Sequence, residues 1–231
     1  MERKKYVIVT AGGMGTRMGA AKPKQFLELG GKPVLRITIE KFLAAIPEGH
    51  IITVLPEDYV HLWRQYCISA NFNCPQRLVK GGFTRFHSVR NALEYVPDGA
   101  LVAVQDGVRP LISASCIKRL FDKAQSVPAL IPVMPVTDTL KVLDKDPSGA
   151  LVSSGEVADR SRFFGAQTPQ IFHSEQLKAA YGQSYSTLFT DDASVAEAFG
   201  IPLAFAEGER YNIKLTTPED LALAAKLLTV S

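Results

Sequence analysis

The chain has 231 residues, 46% hydrophobic and 21% charged. That is an ordinary globular profile, long enough to bury a sizeable core without disulfide or metal staples. Glycine and proline, at 17 and 14, are too few and too scattered for a fibrous or disordered chain, and 26 basic against 23 acidic residues leave a formal charge of +3. No run of about five or six like charges concentrates that excess, so nucleic acid is not an expected partner, whereas a local cationic pocket for a phosphorylated small molecule stays open.

In chain order, Arg3-Lys4-Lys5 leads into Tyr6-Val7-Ile8-Val9, an apolar run too short for a signal-peptide core and ended by Gly12-Gly13. No apolar stretch of about 18 residues follows, so no membrane span is expected and the cytoplasm is the predicted compartment. Cys67, Cys74 and Cys116 form no C-x-x-C pair, which fits a reducing environment. Tyr6–Thr10, His50–Leu55, Leu101–Gln105 and Leu130–Val133 read as buried strands, apolar almost throughout, as in a parallel sheet. Helices are predicted over Val34–Ile46, Asp58–Ala70, Thr84–Val96 and Ala114–Ser126. In the third, Phe86, Val89, Leu93 and Val96 share one face and leave Arg85 and Ser88 on a neighbouring polar one. Thr137–Leu143 and Leu151–Val157 are extended candidates flanking the turn cluster Asp144–Gly149, a β-hairpin arm over about 137–163 before the chain returns at Phe163–Phe172. An arm of such mixed polarity would be poorly covered on a monomer, which points to a second subunit. The last helix has Thr217 as N-cap, Pro218 at its first position, Glu219 and Asp220 in the first turn, and a stripe of Leu221, Ala224, Ala225 and Leu228. The alternation of strand and helix predicts a three-layer α/β fold in one domain, residues 1–231, with a mostly parallel sheet.

Four clusters carry candidate chemistry. Ala11-Gly12-Gly13-Met14-Gly15-Thr16-Arg17 follows the first strand, where bare backbone N–H groups can approach phosphate oxygens. It is no P-loop, lacking Gly-Lys-Ser/Thr, and no dinucleotide fingerprint, lacking the third glycine. Arg17, and Lys22 and Lys24 in Lys22-Pro23-Lys24-Gln25-Phe26, bracket it with charge and favour a nucleoside triphosphate over a tight surface turn with solvated basic residues. Gln105-Asp106-Gly107-Val108-Arg109-Pro110 ends a strand, where ligands sit in open α/β sheets; Asp106 suits Mg²⁺ or a sugar hydroxyl, and equally an Asx-turn capping its own backbone. Gly81-Gly82 leaves room for a base or ribose near Arg85 and Ser88, and Lys214 alternates with Ile213 and Leu215 ahead of the last helix. The histidines, His50, His61, His87 and His173, show no metal-ligand spacing, and there is no G-x-S-x-G elbow. Cations and a carboxylate around a glycine-rich loop, without a nucleophile, suit phosphoryl or nucleotidyl transfer.

In this order the clusters resemble one family, the methylerythritol-phosphate cytidylyltransferases of the non-mevalonate isoprenoid pathway. The resemblance extends over Pro135–Lys141, Thr168-Pro169-Gln170, Thr190-Asp191-Asp192-Ala193-Ser194, Asn212-Ile213-Lys214 and Pro218–Leu221. It implies a Rossmann-like nucleotidyltransferase fold, a homodimer with interlocking β-arms, and transfer of CMP from CTP to 2-C-methyl-D-erythritol 4-phosphate with Mg²⁺. By position, Arg17 and Lys24 resemble the pair that stabilises charge on the α-phosphate, and Lys214 the lysine that holds the acceptor phosphate. The nucleotide would meet Ala11, Gly12, Gly13, Gly15, Thr16, Gly81, Gly82, Arg85, Ser88 and Asp106, with Asp106 also near the metal. Asp106, Arg109, Thr139, Thr168, Thr190 and Lys214 resemble acceptor-site residues, joined by Arg160 from the partner's arm, which counts with the catalytic cations. A phosphate monoester is already an anionic nucleophile and needs orientation rather than a general base. A cytidylyltransferase for another polyol phosphate, such as ribitol 5-phosphate, shares much of this pattern, and a non-catalytic nucleotide-binding module is the alternative from a different class.

Overall fold

A computed structural model describes residues 2–12 and 23–228. In chain order the first half runs β1 (Lys5–Thr10), β2 (Glu28–Leu29), β3 (Lys32–Pro33), α1 (Val34–Ala45), β4 (His50–Leu55), α2 (Glu57–Ser69), β5 (Gln76–Lys80), α3 (Arg85–Leu93), β6 (Leu101–Asp106), α4 (Ala114–Ala124) and β7 (Ala129–Pro135). The second half runs β8 (Leu143–Lys145), β9 (Leu151–Ser153), β10 (Phe164–Ala166), β11 (Gln170–His173), α5 (Ser174–Ala180), α6 (Asp192–Ala198), β12 (Ala204–Glu207) and α7 (Pro218–Leu228).

Strands β5, β4, β1 and β6 lie side by side in parallel; β11 follows antiparallel to β6, and β7 beside it also pairs β10 and, in parallel, β12. The sheet is therefore mixed where the chain returns from the arm. Its strands are apolar on both faces because both are covered. Val7 and Val9 of β1, with Leu101 and Ala103 of β6, face one core shared with α1 and α4; Ile8, Val102 and Val104 face the other, shared with α3, α5 and α6. Period-two alternation thus feeds two hydrophobic layers, and the three-layer α/β reading holds. On α4, Cys116, Ile117, Leu120, Phe121 and Ala124 form the buried stripe, and Ser113 Oγ caps its start by accepting from Cys116 N (3.0 Å).

Two expectations change. Of the arm, only Leu143–Lys145 and Leu151–Ser153 pair, so Asp144 and Lys145 belong to a strand and the turn is Asp146–Ala150, closed by Asp146 Oδ1 accepting from Ala150 N (3.0 Å). On α7, Leu221 and Ala224 pack inward, but Ala225 is exposed because the helix leans only a narrow face on Leu29 and Leu215. Its start is as expected: Thr217 Oγ1 accepts from Asp220 N (3.3 Å), while Asp220 Oδ2 accepts from Thr217 N (2.9 Å). Strands β5 and β12, both at sheet margins, and the short helices α5 and α6 carry patterns too weak to read from periodicity.

Candidate active site

The parallel register sets where a ligand can sit. Thr10, last in β1, lies level with Asp106, last in β6, and with Val54 of β4. Beyond this line the loops continue the ladder before turning away: Ala11 N donates to Val54 O (2.9 Å), Gly107 N to Thr10 O (2.9 Å) and Gly81 N to Leu55 O (2.8 Å). The carboxyl ends of the strands therefore open into a cavity of about 330 Å³. Its walls include Gly12, Lys24, Gly82, Arg85, Ser88, Asp106 and Lys214, all named from sequence, together with Thr10, Gln25, Phe83, Thr84 and Val108.

Ser88 organises the glycine side. Its hydroxyl donates to Thr84 O (3.0 Å) and accepts from Gly82 N (3.0 Å). A Cβ on Gly12 would stand 3.3 Å from that oxygen, one on Gly81 3.2 Å, and one on Gly82 only 2.4 Å from His87 Cβ. These glycines are needed first so that two loops can close on α3, a stricter reason than room for a base. Phe83, fully exposed, stands at the rim. Across the cavity, Lys24 begins a short 3-10 turn, Lys24–Phe26, whose Gln25 is buried and donates Nε2–H to Ala11 O (2.6 Å), tying the turn to the start of the glycine-rich loop. Gly13, Gly15, Thr16 and Arg17 lie outside the described residues.

Asp106 is the electrostatic centre. Its Oδ2 meets Arg109 Nε at 3.2 Å and Lys214 Nζ at 3.1 Å, and its Oδ1 lies 3.9 Å from Arg85 Nε. Burial disfavours its charge, but Arg85, Lys214 and Arg109 outweigh burial and hold its pKa at about 2. The side chain therefore answers to cations rather than capping its own backbone, which decides against the Asx-turn. Lys214 reaches it because Ile213 and Leu215 turn the opposite way, onto Leu29, Val34 and α7, and Leu215 N pins the strand-like segment to Val108 O (2.9 Å).

Behind the cavity, the scattered family segments form one network. Thr168 Oγ1 accepts from Asp106 N (3.0 Å), Asn212 Nδ2 donates to Thr168 O (2.9 Å), and Arg109 Nη1 donates to Asn212 O (2.7 Å). Thr168 and Arg109 thus support Asp106 from below rather than lining the cavity. Gln170, also buried, donates Nε2–H to Asp191 Oδ2 (2.7 Å) and accepts from Ala193 N (2.8 Å), docking the start of α6. Beside it the buried Asp192 takes both Arg85 terminal nitrogens and the hydroxyl of Tyr181. Asp192, Tyr181, Gln25 and Asn212 were given no role from sequence; Asp192 stands 107 residues from Arg85, and no spacing could have joined them. Thr139 and Thr190 are exposed outside the cavity, and Arg160 lies in the arm, donating Nη1–H to Thr137 O (2.7 Å).

A family model described as 2-C-methyl-D-erythritol 4-phosphate cytidylyltransferase matches residues 5–230. The chain belongs to that family. A relative of that name from Porphyromonas gingivalis is 49% identical over 230 residues, covering 99% of this chain and 100% of its own. One from Microcystis aeruginosa is 36% identical, covering 97% of this chain and 98% of its own. Among solved structures, the 4-diphosphocytidyl-2C-methyl-D-erythritol synthase of Anaerococcus prevotii superposes with a TM-score of 0.80 at 26% identity, over 99% of this chain and 100% of that one. The cytidylyltransferase of this family from Francisella tularensis gives 0.77 at 32% identity, over 96% and 98%. The open, mostly parallel sheet is the family's nucleotidyltransferase fold.

Proposed function

We propose that this protein transfers CMP from CTP to 2-C-methyl-D-erythritol 4-phosphate, releasing pyrophosphate. The observation that carries the reading is the convergence of Lys24, Arg85, Asp106 and Lys214 on one cavity at the carboxyl ends of β1 and β6, in a chain of this family. The base enters between the Gly12 and Gly81-Gly82 loops, with Ser88 between them, and the ribose faces Asp106. An oxygen of the acceptor phosphate attacks the α-phosphorus, a P–O bond forms, and the bond to the β-phosphate oxygen breaks as pyrophosphate departs. No proton need be removed, because the attacking group is already an anion. Lys214 holds that anion in line, and Lys24 with Arg17 shields the growing negative charge on the α-phosphate; such fixed charges act without reorganisation.

Asp106 is the one carboxylate lining the cavity among the described residues, and none of these residues form a cluster of three acidic, histidine or cysteine groups suited to a metal. Its ionised state and its Oδ1, with Arg85 no nearer than 3.9 Å, suit Mg²⁺, which takes one or two carboxylates plus substrate phosphates. Asp106 would hold the ion, which when bound supplies charge neutralisation along the triphosphate.

The active form we infer is a homodimer. The arm leaves Leu143, Leu151, Val152 and Val157 exposed, more apolar surface than a lone hairpin sustains. Arg160, outside the cavity of its own chain, would reach the partner's acceptor site with Thr139. Three unpaired cysteines support a cytoplasmic setting, and no helix among the described residues is long and apolar enough to cross a membrane.

Pyrophosphate release with CTP and Mg²⁺ tests the reading. Turnover with methylerythritol phosphate and not ribitol 5-phosphate is expected. The reverse preference would move the acceptor assignment, and silence with both would leave a binding module.

A further inference from the structure

An ionised carboxylate beside a guanidinium ordinarily draws it into a two-pronged pair. Arg85 and Asp106 do not form one: Nε stands 3.9 Å from Oδ1, beyond hydrogen-bond reach. The prongs of Arg85 go elsewhere. Nη1 donates to Asp192 Oδ1 at 2.9 Å and Nη2 to Asp192 Oδ2 at 2.5 Å. Asp192 is 0% exposed, and its Oδ1 also accepts from the hydroxyl of buried Tyr181 (2.6 Å). Tyr181 is itself fixed by stacking on Phe86 at 4.7 Å, one residue along α3 from Arg85. The anchor is thus rigid, and the cation it holds is the one whose nearest other carboxylate is Asp106.

We propose that Asp192 is a positioning residue for the nucleotide: it holds the fork of Arg85 so that the guanidinium cannot close on Asp106, leaving Asp106 Oδ1 open to the ribose side of CTP. Without Asp192, Arg85 would sit half-buried with its two hydrogen bonds lost, and a movement of about 1 Å would bring it into hydrogen-bond range of Oδ1. That pairing would occupy the carboxylate CTP needs. Asp192 touches no substrate and acts through Arg85. The inference rests on the reading of Asp106 as the nucleotide-facing carboxylate.

The test is CTP binding by titration calorimetry with Mg²⁺ present and no acceptor. Asp192→Asn is expected to weaken binding about tenfold, the scale of one charge-assisted hydrogen bond. Arg85→Gln added to Asp192→Asn is expected to bring affinity to the level of Arg85→Gln alone, because no guanidinium remains to cover Asp106 Oδ1. A purely structural role for Asp192 makes the two losses add, so that the double variant binds more weakly than Arg85→Gln alone, and overturns the proposal. Wild-type affinity in folded Asp192→Asn overturns it too. Should that variant not fold, as judged by circular dichroism, Tyr181→Phe is read instead: it removes only the hydroxyl holding Asp192 and is expected to weaken binding about two- to fivefold, and no change refutes the idea. Asp106→Asn separates the two layers. If it leaves CTP affinity intact, the reading of Asp106 fails; if it weakens binding while Asp192→Asn does not, only the present inference fails.

Discussion

Asp106→Asn keeps the shape of the side chain and removes its charge, and its effect on stability can be worked from the site. Burial opposes ionisation of Asp106, yet Arg85, Lys214 and Arg109 hold its pKa at about 2, against an ordinary 3.8. A carboxylate whose pKa is lower in the folded state stabilises the fold fully above its unfolded pKa, and that contribution is lost as pH falls through the folded one. The shift from 3.8 to about 2 corresponds to about 2 kcal/mol at neutral pH. With the side chain only 10% exposed, solvent screening takes little from it. In a domain of this size that is about 4–8 °C in Tm. Denaturant unfolding of wild type and variant, at steps from about pH 7 down to pH 3, checks it. The gap is expected to stay near 2 kcal/mol down to about pH 5 and to lose roughly half by about pH 3, as the wild-type carboxylate takes up its proton on unfolding. A gap that is absent at neutral pH refutes the reasoning. So does one that is undiminished at pH 3, because the cost would then be steric rather than ionic.

Lys24→Ala is expected to lower kcat about 10²-fold with little change in KM for CTP, as befits a charge used in the transition state; an unchanged kcat with raised KM would make Lys24 a ground-state contact. Gly82→Ala forces a Cβ to within 2.4 Å of His87 Cβ, so the loop must shift. A loss of about 1–3 kcal/mol by thermal melt, with a raised KM for CTP, is expected, and wild-type values for both would show that the loop yields freely. Deleting Asp144–Leu151 removes the turn of the arm and two of its three paired positions. Sedimentation is expected to show monomers and kinetics a raised acceptor KM; an intact dimer with unchanged kinetics would refute the shared arm.

The fold was legible wherever a strand is buried on both faces. His50–Leu55 was bounded correctly, and the strands ending at Thr10 and Asp106 came within a residue or so, because turn residues end an unbroken apolar run sharply. Edge elements were not legible. Strand β5 reads Gln76-Arg77-Leu78-Val79-Lys80, with mostly polar positions facing solvent, and β12 is four residues long. The arm misled for a related reason: extended backbone needs no partner strand, and only Leu143–Lys145 and Leu151–Ser153 found one. Within the site, groups that answer to local chain geometry could be read from sequence. Lys214 was placed by its alternation with Ile213 and Leu215, Gly12 by the strand end it follows, and Gly82 by the helix it precedes. Asp192, Thr168 and Asn212 act only through groups far along the chain, and a single sequence carries no signal of that pairing.

The charge pattern of the cavity also explains why a carboxylate sits among substrate-binding cations. Arg85, Arg109 and Lys214 converge within 4 Å of one group, and without Asp106 the repulsion among them would be less well compensated while no triphosphate is bound. Asp106 and Asp192 are internal counter-ions that keep the cations in place while the site is empty, and they divide the task unequally. Asp192 is sealed from solvent and binds Arg85 by two hydrogen bonds. Asp106 faces the cavity and shares Lys214, whose side chain is 42% exposed. An ammonium carries three N–H donors that turn freely, so Lys214 can keep one on Asp106 while another takes up a phosphate oxygen. A planar guanidinium locked on a carboxylate has no such freedom. A lysine at the cavity mouth and an arginine at its back therefore fit the division between the cation that must engage the acceptor and the one that must stay where it is.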